Sequence, residues 1–153
     1  MGFSVSAFLL TIGCCLISIF IAGKSGSDEG KEWFANLNHP DNSFLLKTMN
    51  AVGIIFFLLF GFTLYRLFVI SDVIPIVFTI LIILFMGLSP AIKYKTKNLK
   101  TFFITMLILP VLTIGLLFFL LPNSFVISIP VIIFAIWLVY DLSYFYRLIK
   151  LNE

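Results

Sequence analysis

The sequence predicts an all-α bundle of five membrane-crossing helices, and three observations predict it. Five apolar runs stand out: Phe3–Ala22, Phe44–Ile70, Val73–Ile92, Phe102–Leu121 and Phe125–Ile149. Each meets the length of about 20 residues that a helix rising about 1.5 Å per residue needs to cross about 30 Å of hydrocarbon. Second, 61% of the 153 residues are hydrophobic and only 11% are charged, about half the charged share of a soluble domain. Third, the basic residues gather on one side of such a bundle. An outer-membrane barrel is excluded, because its strands would alternate in polarity and these runs do not.

The first run begins immediately, and Met1-Gly2-Phe3-Ser4-Val5-Ser6 fits the myristoylation pattern in form only. No positive charge precedes the apolar stretch, so a retained helix is expected rather than a cleaved signal, and Ile12-Gly13-Cys14 is set aside as a lipoprotein site on the same ground. Ala7, Thr11, Cys15, Ser18 and Ala22 recur every three or four residues, which puts small side chains on one face and lets another helix approach closely. Cys14 and Cys15 are sequence neighbours without a third cysteine. They are read as packing residues, with neither a disulfide nor a metal site expected.

Ser71-Asp72 and Pro122-Asn123-Ser124 are short enough to make their flanking helices antiparallel neighbours. Pro75 and Pro90 fall near the ends of the third run, where a missing N–H costs little, and Pro130 falls in the outer part of the fifth. Pro110 is mid-span in the fourth run and is expected to kink it. No polar stretch exceeds the 21 residues from Gly23 to Ser43, so residues 1–153 are read as one integral membrane domain.

With five spans, the first and third loops and the C-terminus share a side. That side carries Lys24, Lys31, Lys47, Lys93, Lys95, Lys97, Lys100, Arg147 and Lys150, against Arg66 alone on the other. The asymmetry predicts a cytoplasmic C-terminus and an outside N-terminus, and fits a bacterial inner membrane. The cluster from Lys93 to Lys100 is expected to attract anionic headgroups or simply to set topology. Tyr94, Tyr140, Tyr144 and Tyr146 at that boundary, with Tyr65 near the other, form an aromatic belt.

The first loop is the most unusual segment. Lys24-Ser25-Gly26-Ser27-Asp28-Glu29-Gly30 reads as a flexible polar linker, and Trp33-Phe34-Ala35-Asn36-Leu37-Asn38-His39-Pro40 as an apolar stretch folded back over the helix ends. It is either a lid over a cavity or an interfacial anchor built on Trp33 and Phe34. His39, without a visible partner, is read as solvated.

Residues 33–40 resemble the W-Y-A-x-L-x-K-P pattern of the TspO (tryptophan-rich sensory protein, or translocator protein) family. The family's G-x-x-x-Y falls on Gly61 and Tyr65. Its W-S-P appears as Leu88-Ser89-Pro90, and its fifth-helix Pro and closing basic residue as Pro130 and Arg147. The departures are Asn42-Ser43-Phe44-Leu45 for W-x-P-P, Gly53 and Phe134 for two tryptophans, and Phe85-Met86-Gly87-Leu88 for N-x-x-W. The resemblance implies a five-helix protein that binds a hydrophobic small molecule, a tetrapyrrole or sterol-like compound, for sensing or transport. It implies a homodimer, to which the glycines of the second and third runs could contribute. The residues it assigns to pocket or lid are Trp33, Phe34, Leu37, Pro40, Tyr65, Ser89, Pro90 and Trp137. The substitutions imply a greasier pocket than the family's.

Leu142, Tyr144 and Arg147 satisfy a proposed sterol-contact pattern. Asp141 is an intramembrane carboxylate, hence either a functional group or a structural partner of Arg147, Lys150 or a lysine of a neighbouring helix. With no Ser-His-Asp set, metal-ligand cluster or phosphate-binding glycine loop in the sequence, no enzyme, cofactor or nucleic-acid partner is expected. The alternative to a ligand binder is a structural membrane protein acting through lipid or partner-subunit contacts. A pocket lacking any polar group to orient a ligand would favour that alternative.

Overall fold

The computed structural model describes residues 4–24, 26–40 and 44–153, with residues 44–47, 49 and 50 described by their backbone alone. The Met1-Gly2 pattern, the start of the first run at Phe3, Asn42-Ser43 and the side chain of Lys47 lie outside the described residues. Helices follow in the order α1 Val5–Lys24, α2 Asp28–Ala35, α3 Phe44–Ile70, α4 Val73–Thr96, α5 Leu99–Met106, α6 Ile108–Asn123 and α7 Phe125–Leu151. Five segments are long and apolar enough to cross a membrane: α1, the Ala51–Ile70 part of α3, α4, α5 with α6, and α7. The fold is therefore all-α, and its architecture is that of an integral multi-pass membrane protein.

The outer surface supports this reading. On α1 only Ala7, Thr11 and Ser18 are buried, while Leu9, Leu10, Leu16, Ile17 and Phe20 are exposed. Val111, Ile114 and Phe118 make a similar exposed stripe on α6, as do Ile129, Ile133 and Ile136 on α7. Such continuous apolar surface suits hydrocarbon and not water.

α4 is the centre of the bundle, packing against α1, α2, α3, α5 and α6, while α7 packs against α3, α5 and α6 and closes the other side. The small face of α1 is what brings it close. A Cβ on Gly87 would lie 2.6 Å from the carbonyl oxygen of Ser18, and one on Gly61 would lie 3.3 Å from Cys15 Sγ. These two glycines of the second and third spans are thus used within the chain, to seat α1 against α4 and α3.

Two prolines act differently from each other. Pro110 cannot donate to the carbonyl of Met106 and its ring crowds that oxygen, so α5 ends at Met106 and the Leu107 N–H bonds instead to Ile104 O at 3.2 Å. The expected kink in the fourth span is a true interruption. Pro90 is not at a helix end as its run suggested: α4 continues six residues beyond it, to Thr96. Pro90 leaves the carbonyl of Met86 without its usual donor, and the Ser89 hydroxyl donates there at 3.1 Å. The helix therefore carries on to position Lys93 and Tyr94 on its last turns.

The first loop also departs from expectation. Its polar half starts a helix, because the Ser27 hydroxyl accepts from the Gly30 N–H at 3.1 Å and Asp28 and Glu29 occupy the positive N-terminal turn. Gly30 is where α2 meets α4, since a Cβ there would lie 2.7 Å from the Tyr94 carbonyl oxygen.

The tightly packed core fills the end of the bundle away from the lysines. Phe60, Leu64 and Leu67 of α3, Ile82 and Ile83 of α4, Leu116 of α6, and Ile127 and Val131 of α7 are all buried there. Gly87→Ala forces the α1 backbone away from α4. It should lower stability by about 1–2 kcal/mol net, despite the better helix propensity of alanine. Gly53→Ala, whose Cβ would meet nothing within 4 Å, should be neutral or stabilising. Unfolding midpoints in detergent compare the two; an equal effect would show that α1 does not depend on this close approach.

Candidate ligand-binding cavity

At the lysine-rich end the helices diverge around a cavity of about 510 Å³. Each wall is one helical stripe at spacings of three and four residues. α4 contributes Met86, Ser89, Pro90 and Lys93; α7 contributes Phe134, Trp137, Leu138, Asp141 and Phe145. α3 supplies Val52, Gly53, Phe56 and Phe57, and Phe102, Met106 and Leu109 line the side of the interrupted fourth span. Phe134 stands edge-on to both Phe56 and Phe60, each with ring centroids 4.9 Å away, and forms the floor between the cavity and the packed core. Ile19 and Ile54 line the cavity and are also exposed on the outer surface, and a Cβ at Gly23 or Gly53 would meet nothing nearby. The wall between α1 and α3 is consequently open at this level.

α2 roofs the cavity. Gly26 and Lys31 face into it, and Phe34, 5% exposed, wedges beneath α2 against Tyr94, Phe145 and His39. The roof is fastened to the ends of α4 and α7. Glu29 pairs with Lys97, whose ammonium holds the Glu29 carboxyl below the usual carboxylate range by hydrogen bond and charge. Asn152 grips the loop in both directions, its Oδ1 accepting from the Asn38 N–H at 2.9 Å and its Nδ2 donating to the Asn38 carbonyl at 3.0 Å.

His39 is a strut rather than a solvated residue. Its Nε2 lies 2.9 Å from the Phe34 carbonyl, which can only accept, so Nε2 carries the proton; Nδ1 then accepts from the Tyr144 hydroxyl at 2.8 Å.

Among the described residues, Lys93 and Asp141 are the charged groups of the interior. Lys93, counted in the sequence among the surface lysines, is 4% exposed, and Asp141 is 8% exposed. The Lys93 ammonium lies over the rings of Phe34, 4.2 Å from its centroid, and Tyr94, 4.5 Å from its centroid. Of the partners the sequence offered Asp141, Lys93 on α4 lines the same cavity, without an ion-pair contact between the two. Arg147 is exposed and Lys150 bonds Glu153 at 3.3 Å. The Lys93–Lys100 cluster is accordingly not one solvated patch, since Lys93 turns inward, Lys97 holds Glu29 and Lys100 holds Glu153 at 2.9 Å.

Of the residues singled out by sequence, Ser89, Pro90 and Trp137 line the cavity. Ser89 has its hydroxyl committed to Met86. Phe34 touches the cavity's lysine from the roof. Trp33 and Leu37 face a shallow groove beside Lys97, Leu99, Ile149 and Asn152 instead. Half-buried Pro40 does not line the cavity, and Tyr65 is at the opposite end, where its hydroxyl accepts from the Ser4 N–H at 3.3 Å. Leu142, Tyr144 and Arg147 do not form one outward strip: Leu142 is half-buried, Tyr144 turns inward to His39 and Arg147 is exposed. Phe134, singled out in the sequence only as a departure from the family's tryptophan, lines the wall, and so does Lys93, which the sequence placed among the loop lysines. The signal was present in the helical spacing, since Lys93 follows Ser89 by four residues and Asp141 follows Phe134 by seven.

Compared with protein-family models, curated proteins and solved structures, the chain finds no match.

Asn152→Ala removes both links to Asn38, worth about 1–2 kcal/mol of local stability. Amide exchange over Gly30–Phe34 should speed up about tenfold, while mid-α7 amides keep their protection. Unchanged exchange in α2 would show that the roof is not held by this grip.

Proposed function

We propose that this chain is a TspO-like membrane protein that binds a hydrophobic small molecule, a tetrapyrrole or sterol-like compound, within its bundle for sensing or transport. The observation that carries the reading is the cavity itself. Its volume of about 510 Å³ falls within the range of about 300–1,000 Å³ usual for small-molecule sites, and its lining is mostly apolar with a few convergent polar groups. Lys93 and Asp141 supply the orienting groups whose absence would have favoured a purely structural role. The open wall between α1 and α3 gives a hydrophobic compound a route from the surrounding lipid.

Binding without turnover follows from the wall chemistry. Gly53 and Phe134, where the resembling family carries tryptophan, both face the cavity, leaving Trp137 as the indole on the described wall. An excited macrocycle would find few side chains able to pass it electrons or radicals. In keeping with the resemblance, the proposal extends to a bacterial inner membrane, a cytoplasmic C-terminus and a homodimer. Because Gly61 and Gly87 are occupied by α1, the dimer would use other faces.

Protoporphyrin titrated into the purified protein provides the test. The Trp33→Phe variant, with Trp137 as its one indole, should show strong saturable quenching, and the Trp137→Phe variant, reporting from Trp33, much less. Stronger quenching of Trp33 would move the site to the loop groove. No saturable quenching in either variant would favour the structural reading.

A further inference from the structure

Lys93 and Asp141 are buried on the cavity wall, and among the described residues neither makes a hydrogen bond or an ion-pair contact. Among the described residues the ion pairs are Lys31–Asp28, Lys97–Glu29, Lys100–Glu153 and Lys150–Glu153, all at exposed or half-buried positions. Lys93 rests on the faces of Phe34 and Tyr94, which offer no acceptor oxygen. The nearby Ser89 hydroxyl is committed to the Met86 carbonyl, and Lys31 at the rim is balanced by Asp28 at 3.6 Å. The cavity therefore presents one unmet donor set and one unmet acceptor set from opposite walls, α4 and α7, with a net charge of zero between them.

We infer that the compound taken by this cavity carries, on a hydrophobic body, an uncharged head that both accepts and donates a hydrogen bond, as a hydroxyl or an amide does. This rests on the reading of the cavity as a ligand site and narrows its ligand class. The reason is charge balance in a low-dielectric wall. A carboxylate reaching Lys93 would also face Asp141, and an ammonium reaching Asp141 would face Lys93; either adds a third charge that the site cannot neutralise. An uncharged hydroxyl adds none. Its oxygen accepts from the Lys93 ammonium and its hydrogen goes to the Asp141 carboxylate, satisfying both groups at once. Of the two compound classes proposed above, the hydroxyl-bearing one meets both groups at once, whereas a carboxylated macrocycle meets Lys93 alone and binds the more weakly of the two.

The experiment uses the full chain in lipid nanodiscs, in the Trp33→Phe background, so that Trp137, one helical turn from Asp141, reports occupancy. The probes are bromine-tipped undecanol, undecanoic acid and undecylamine, which share one chain and quench indole fluorescence. A Lys93→Met/Asp141→Leu protein corrects for head-dependent partitioning into lipid. The alcohol should bind about tenfold or more tightly than the acid or the amine. Asp141→Asn should shift preference to the acid and Lys93→Met to the amine, whereas the doubly apolar protein should treat the three alike. An acid or amine that matches the alcohol on the unaltered pair would overturn the inference, as would an order unchanged in the single variants. Saturable binding that ignores the head would overturn the inference alone and leave the ligand site standing. If no probe quenches saturably, both fall together. The comparison of three heads on the unaltered pair needs no charge variant to fold.

Discussion

A lysine and an aspartate inside a membrane-spanning bundle are costly to bury, and much of this structure is arranged around Lys93 and Asp141 on the walls of one cavity. Each charge alone would carry a desolvation cost of several kcal/mol. Placing them on α4 and α7, which do not themselves pack together among the described helices, keeps a space between the two. The aromatic rings of Phe34 and Tyr94 shield the ammonium, and α2 lies over the pair. The Glu29–Lys97 bridge, the Asn152 grip and the His39 strut then fasten α2 to the ends of the same two helices that carry the charges.

The bundle is accordingly solid at one end and hollow at the other. At the solid end, branched aliphatic and phenylalanine side chains interdigitate and small residues let α1 approach α4 and α3. At the hollow end, the Pro90 segment continues α4 with the help of Ser89, and the interruption before Pro110 turns Phe102 and Met106 toward the cavity. Phe134 separates the two regimes. The apolar exterior, which would be untenable in water, suits hydrocarbon.

The five spans and their antiparallel neighbours were legible in the sequence because length and apolarity suffice to specify them. The small face of α1 was legible too, since its period is that of a helix. What escaped was direction. A lysine two residues before another lysine, near a helix end, reads as surface charge, and only the register of α4 beyond Pro90 reveals that Lys93 turns inward. His39 looked solvated because its partner, Tyr144, is 105 positions away in sequence. Helix α2 was missed through its cap: Ser27 followed by Asp28 and Glu29 is a start signal, but the two glycines around it suggested a flexible linker. The cavity residues divided along the same line, with Ser89, Pro90 and Trp137 found from resemblance, while Lys93, one turn beyond Ser89, is placed on the wall by the continuation of α4 past Pro90.

Lys93 and Asp141, on the walls of one cavity, should stabilise one another across it. A double-mutant cycle with Lys93→Met and Asp141→Asn, read from reversible unfolding in mixed micelles, measures this directly. Each single variant should be strongly destabilised, and the double variant should recover part of that loss, with a coupling of about 1 kcal/mol or more. Effects that add to within about 0.3–0.5 kcal/mol would mean that the two charges do not sense each other, and would contradict the account.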